Sequence, residues 1–136
     1  MMALYTPQQL SITKIVKFDA AHFLPGYNGK CKRMHGHTWK VEIEVGLADN
    51  QSYDPHHDKM LLDFSKLKSI IQDQFLNEID HSCINTDVVG IEYPSAENIV
   101  MWIRGRVQVA LPDFVKLLRI RVWESEDSYA EWSLGR

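Results

Sequence analysis

The stretch CKRMHGHTW, residues 31–39, brings one thiol and two imidazoles within nine positions. These side chains bind first-row metals and exchange protons near neutral pH. His35 and His37 open the stretch HGHTWKVEIEVGL (35–47), which alternates apolar and polar residues. His35, His37, Trp39, Val41, Ile43, Val45 and Leu47 share one phase, the signature of a half-buried antiparallel strand. In such a strand both imidazoles leave the dry face with Cβ atoms roughly 6–7 Å apart, close enough for two ring nitrogens to converge on one ion. His22 ends a second alternating stretch, SITKIVKFDAAHF (11–23), in phase with Val16 and Phe18. If the two strands are neighbours, His22 supplies a third nitrogen. Three histidines without a fourth protein ligand form the pattern of a catalytic zinc site, which keeps one position open. Imidazoles also suit other first-row metals, and a lone H-x-H also occurs as a pair of ordinary strand-end histidines.

Cys31 lies four residues before His35, flanked by Lys30, Lys32 and Arg33. Nearby cations and a metal both favour thiolate. Cys31 is therefore either a fourth zinc ligand or a base beside the metal. Asp80 precedes His81 at the end of a predicted helix, so the carboxylate can orient an imidazole that moves protons near neutral pH. A favourable histidine at a helix C-terminus accounts for the same pair without chemistry. Glu124, in VKLLRIRVWES (115–125), shares a phase with Leu118, Ile120 and Val122. A carboxylate on a dry face needs a partner, and a heterocycle edge with two adjacent N–H donors would supply one. If the strand has already ended, Glu124 turns to solvent instead.

The elements that must position these residues follow from the same patterning. The stretches 11–23 and 35–47 read as strands, MLLDF (60–64) as a short third strand, and 115–125 and 128–134 as closing strands. SKLKSIIQDQFLNEI (65–79) reads as a helix capped by Ser65, with Leu67, Ile70, Ile71, Phe75 and Ile79 buried. SAENIVMWIRGRVQVAL (95–111) reads as a second helix, with Ser95 as cap, Glu97 in its first turn, and Ile99, Trp102, Ile103, Val107 and Ala110 on its apolar side. Two helices on one face of an antiparallel sheet make an α+β fold.

The 136 residues suffice for one domain, 1–136. A net charge of −3 argues against a general nucleic-acid binder, and no stretch reaches the length of a membrane span. The first residues carry no signal-peptide pattern. Two cysteines in unlike contexts, Cys31 and Cys83, fit a reduced, cytoplasmic setting. Cys83 reads as a small packing residue, and the loop carrying His56 and His57 as a surface loop, with a second metal there as the alternative.

The ordered set FDAAH (18–22), C-x-x-x-HGH (31–37), LDF (62–64), DH (80–81), PSAEN (94–98) and VWES (122–125) resembles the 6-pyruvoyltetrahydropterin synthase and 6-carboxytetrahydropterin synthase (QueD) family over residues 11 to 134. The resemblance implies the tunnelling (T) fold, in which subunits close a barrel as trimers that often stack into hexamers, with active sites between subunits. It implies Zn2+ held by His22, His35 and His37, Cys31 as base rather than ligand, and Asp80 and His81 as proton-transfer residues. Glu124 would anchor the pterin ring, and Glu97 would add a contact. The substrate implied is a small molecule, 7,8-dihydroneopterin triphosphate. The motif spacing resembles the branch forming 6-carboxytetrahydropterin, acetaldehyde and triphosphate on the way to queuosine and other 7-deazapurines; the alternative product is 6-pyruvoyltetrahydropterin. Two other readings are a non-catalytic zinc-dependent pterin binder and a structural zinc protein completed by Cys31.

Overall fold

The computed structural model describes residues 4–6, 9–29 and 32–135; Lys30 and Cys31 lie outside the described residues. The strands are β1 (Ser11–His22), β2 (His35–Leu47), β3 (Ser82–Cys83), β4 (Val115–Ser125) and β5 (Ser128–Ser133). They form one sheet in the order β3-β1-β2-β4-β5. β1 and β2 run antiparallel in unbroken register from Ser11↔Gly46 to His22↔His35. That register places the last residue of one strand opposite the first of the other, so the three histidines meet at one end of the sheet.

The helices are α1 (Phe64–Ile71), a π-helical turn (Gln72–Leu76), α2 (Asn77–Ile79), α3 (Ile84–Asp87) and α4 (Ala96–Gln108). They cover one face. Trp39, Val41, Ile43 and Val45 of β2 and Ile120 and Val122 of β4 are fully buried, in a single apolar cluster with Leu67, Ile71, Phe75, Ile99, Ile103 and Val107 from the helices. Each such side chain contributes about 1.5–3 kcal/mol on leaving water. The opposite face carries paired polar groups. Arg119 Nε donates to Glu44 Oε1 at 2.9 Å, Trp123 Nε1 donates to Glu42 Oε2 at 2.6 Å, and the Lys40 ammonium lies 4.3 Å from the Trp123 ring centre. The alternation read from residues 35–47 is thus the division between a dry helical face and a charged open one. Among the described residues no helix is long and apolar enough to cross a membrane.

Several expectations need correction. Residues 60–64 form no strand. Leu61 and Leu62 are buried from a loop, and Asp63 starts the first helix by accepting the Ser65 N–H at 2.8 Å. The cap is therefore Asp63, not Ser65, whose hydroxyl instead donates to the same carboxylate. The helix expected over 65–79 contains the π-helical turn, where the Arg106 guanidinium reaches the Gln74 carbonyl at 3.4 Å and Glu78 at 2.8 Å. The second helix ends at Gln108, so Ala110 lies beyond it; Ser95 is its cap as expected. The sheet is not wholly antiparallel, because β3 pairs parallel with β1 through Ala20↔Ser82 and Ala21↔Cys83. Leu118 does not share the buried face. A register shift at Glu44/Val45 turns Leu117 inward and sets Leu118 over Gly46, where an added Cβ would stand 2.7 Å from Leu118 Cδ1.

Candidate functional site

Each histidine of the cluster is aimed by its other ring nitrogen. His22, 1% exposed, has Nδ1 2.8 Å from the Pro94 carbonyl oxygen. His35 has Nδ1 2.6 Å from the Arg33 carbonyl oxygen. A carbonyl can only accept, so both Nδ1 atoms carry protons and both Nε2 atoms present lone pairs. Those two Nε2 atoms lie 3.2 Å apart. Two facing lone pairs repel unless a cation sits between them. A tetrahedral ion with bonds of about 2.0–2.1 Å sets its donors about 3.3 Å apart, which matches this pair. His37 Nε2 is buried and makes no well-aligned hydrogen bond; it has Glu124 Oε1 beside it at 3.1 Å, and a metal would satisfy both atoms. Burial pushes the His37 imidazole below its ordinary pKa; the Glu124 charge pulls it up, and His22 and His35 push it further down. Trp39, fully buried, closes the cluster from below, with ring centres 5.0 Å from His22 and 5.4 Å from His37. The donor set fits a metal ion.

Glu124 joins this cluster. Its Oε1 stands 3.1 Å from His37 Nε2 and 3.5 Å from His22 Nε2, and the four side chains each bring a donor atom within 4.8 Å of the others. The sequence expectation that Glu124 lies either on the dry face or in solvent resolves to the dry face. Its alternation with Ile120 and Val122 turns it inward, and the β2–β4 pairing that sets Val122 opposite Val41 brings it to the histidine end of β2, a neighbourhood that one strand's pattern does not reveal. Glu124 and Glu97, in the first turn of α4, also line one cavity of about 510 Å3, walled by Met101, Tyr129 and Trp132.

Asp80 and His81 form a second group. His81 Nδ1 lies 3.0 Å from Asp80 Oδ1, and the His81 backbone has φ 61°, left-handed for a non-glycine residue. Asp19 completes the group. Its backbone N–H donates to Asp80 Oδ1 at 3.0 Å, its carbonyl accepts the His81 N–H at 2.6 Å, and its carboxylate accepts the Thr38 hydroxyl at 2.6 Å. Sequence reasoning missed Asp19 and Thr38. Both stand on the polar phase of their strands, and only the Asp19↔Thr38 register brings them together. The histidine–glutamate cluster and the Asp19–Asp80–His81 group are separate, although His37 and His81 border one open hollow of about 450 Å3. The thiol of Cys31, named above as ligand or base, lies outside the described residues. Cys83 is half-buried with Sγ 3.7 Å from Met34 Sδ. His57 is exposed and lies 3.7 Å from Asp54.

The chain is 31% identical to a 6-carboxy-5,6,7,8-tetrahydropterin synthase of Haemophilus influenzae, over 89% of this chain and 96% of the relative. It is 34% identical to a dihydroneopterin monophosphate aldolase of Pyrococcus furiosus, over 81% of this chain and 85% of the relative. Its fold superposes on the Caenorhabditis elegans 6-pyruvoyl tetrahydropterin synthase with a TM-score of 0.77 at 20% identity, covering 97% and 96% of the two chains. The model of the 6-pyruvoyl tetrahydropterin synthase family matches residues 11–134, and the chain belongs to that family.

Proposed function

We propose that the protein is a zinc-dependent 6-carboxy-5,6,7,8-tetrahydropterin synthase acting on 7,8-dihydroneopterin triphosphate. The observation that carries the reading is the pair of lone-pair-bearing Nε2 atoms of His22 and His35, 3.2 Å apart beside the buried His37 Nε2 and Glu124. His22, His35 and His37 would hold zinc, which when bound supplies a Lewis acid that makes substrate hydroxyls easier to deprotonate. Pro94 and Arg33 fix the two rings in the tautomer that ligation requires. Cys31, by its place four residues before His35, removes a proton from the substrate side chain. Asp80 orients His81, which gives or takes a proton at its exposed Nε2. Glu124, with Glu97 in the same cavity, receives the N–H edge of the pterin ring and so fixes the reacting carbon.

The oligomer belongs to the same proposal. The His81 side chain is 79% exposed, and its group is separate from the histidine cluster of its own chain. It would serve the metal centre of a neighbouring subunit. β3 covers β1 only at Ala20 and Ala21, and among the described residues β5 has no partner beyond β4. Open edges at both ends of a sheet suit closure of a barrel by further copies.

The test is incubation of zinc-loaded protein with 7,8-dihydroneopterin triphosphate and identification of products by mass. A carboxylated tetrahydropterin with acetaldehyde is expected. A pyruvoyl tetrahydropterin would replace the carboxy assignment. Unchanged triphosphate, with cleavage of dihydroneopterin monophosphate instead, would move the chain to the aldolase reaction named for the Pyrococcus relative. Cys31→Ala should keep its zinc and lose turnover; loss of zinc would make the thiol a ligand.

A further inference from the structure

Three histidines leave a fourth position, and the donor within reach of it is Glu124. Trp123 pairs with Tyr129 and Ser125 with Ser128, so Glu124 has no partner on β5. It is the extra residue of a bulge. Its side chain keeps the inward phase of Ile120 and Val122, and its carboxylate lies in the histidine cluster, 3.1 Å from His37 Nε2 and 3.5 Å from His22 Nε2. The same side chain is 30% exposed and borders the 510 Å3 cavity with Glu97 and Trp132. Glu124 thus stands at the junction of the metal centre and the cavity. Among the described residues no lysine or arginine is paired with it.

We infer that Glu124 has two working positions. In the substrate-free protein its carboxylate closes the fourth position of the metal centre. When a pterin enters the cavity, the two N–H donors of its edge take over the carboxylate, and the fourth position opens to the substrate side chain. The inference rests on the pterin-synthase reading. Its physical basis is an exchange of comparable partners. A carboxylate held beside imidazoles needs a cation, and a carboxylate drawn into a cavity needs paired donors. Ring binding and opening of the metal centre are then one event, so the ion is exposed only when substrate is positioned.

Two measurements test this. The first is zinc affinity by chelator competition for wild type and Glu124→Gln, which keeps shape and removes charge. Loss of a ligand should weaken zinc at least roughly tenfold, the loss that even an outer partner of a metal ligand produces. The second is the visible spectrum of the cobalt-substituted wild type with and without neopterin, a stable pterin that carries the side chain. The spectrum should change on adding neopterin, and cobalt-loaded Glu124→Gln should differ from wild type before neopterin is added. Unaltered zinc affinity in Glu124→Gln, or a wild-type cobalt spectrum that neopterin leaves unchanged, overturns the inference. The wild-type arm holds even if the variant does not fold. Failure of zinc-loaded wild type to turn over dihydroneopterin triphosphate is read in a separate assay and counts against the synthase reading alone.

Discussion

Asp80 Oδ1 lies 3.0 Å from His81 Nδ1 and, at the same distance, accepts the backbone N–H of Asp19. One carboxylate oxygen therefore ties the imidazole to β1. The ring is held by Asp80, Asp80 by the Asp19 backbone, and the His81 backbone by the Asp19 carbonyl. These bonds orient the unit, as the proton-transfer role proposed for His81 requires.

Asp80→Asn keeps the shape and removes the charge beside the His81 ring. Turnover should fall by about 10²–10⁴-fold, the usual contribution of a positioned acid or base. Zinc content should not change, because Asp80 belongs to the separate group. Steady-state rates with metal analysis on the same samples check this. Equal rates would remove Asp80 from the chemistry, and parallel loss of metal would make its role structural.

His81 sits at φ 61°, a conformation that disfavours a side chain and suits glycine. His81→Gly should therefore be more stable than His81→Ala by about 1–2 kcal/mol, the strain an L-residue bears there. Both variants should be inactive. Urea denaturation of the pair measures the difference, and identical midpoints would show that the φ costs nothing. A residue kept against its backbone preference is what a functional position looks like.

Much of this was legible because two periods dominate the chain. Alternation over 35–47 fixed which residues face the helices, and it placed His35 and His37 beside Trp39 on the dry side. His22 followed from the same phase in 11–23. What was not legible depends on partners distant in sequence or on irregularity. The Asp19↔Thr38 pairing needs the register, and the meeting of Glu124 with His37 needs the β2–β4 pairing that sets Val41 opposite Val122. MLLDF looked like a strand because its apolar residues are buried, yet a loop buries Leu61 and Leu62 equally well.

The start of α1 offers a test of that last point. Asp63 accepts both the Ser65 N–H and the Ser65 hydroxyl, and these bonds hold its carboxyl below the ordinary value. Asp63→Ala should lower stability measurably, as loss of a cap does. Ser65→Ala should cost less, since the backbone bond remains. Thermal or urea midpoints of the two variants decide, and the reverse order would restore Ser65 as the cap.

The metal-free protein should reveal His37 through pH. Burial keeps its imidazole below the ordinary 6.5, while the unfolded chain titrates near that value. Between the two values the unfolded chain binds more protons. The stabilising effect of a neutral His37 is therefore complete above pH 6.5 and is lost as pH falls through the folded value. His37→Gln, which has no proton to gain, should lose less stability than wild type over that interval. Urea midpoints of both metal-free proteins from pH 8 to pH 5, about the range in which histidine charges, give the comparison. Curves that remain parallel throughout would show that His37 titrates alike in both states. Zinc should shift the wild-type loss to lower pH, because a ligated imidazole must be neutral and the ion competes directly with the proton. If zinc leaves the acid limb where it was, His37 does not ligate.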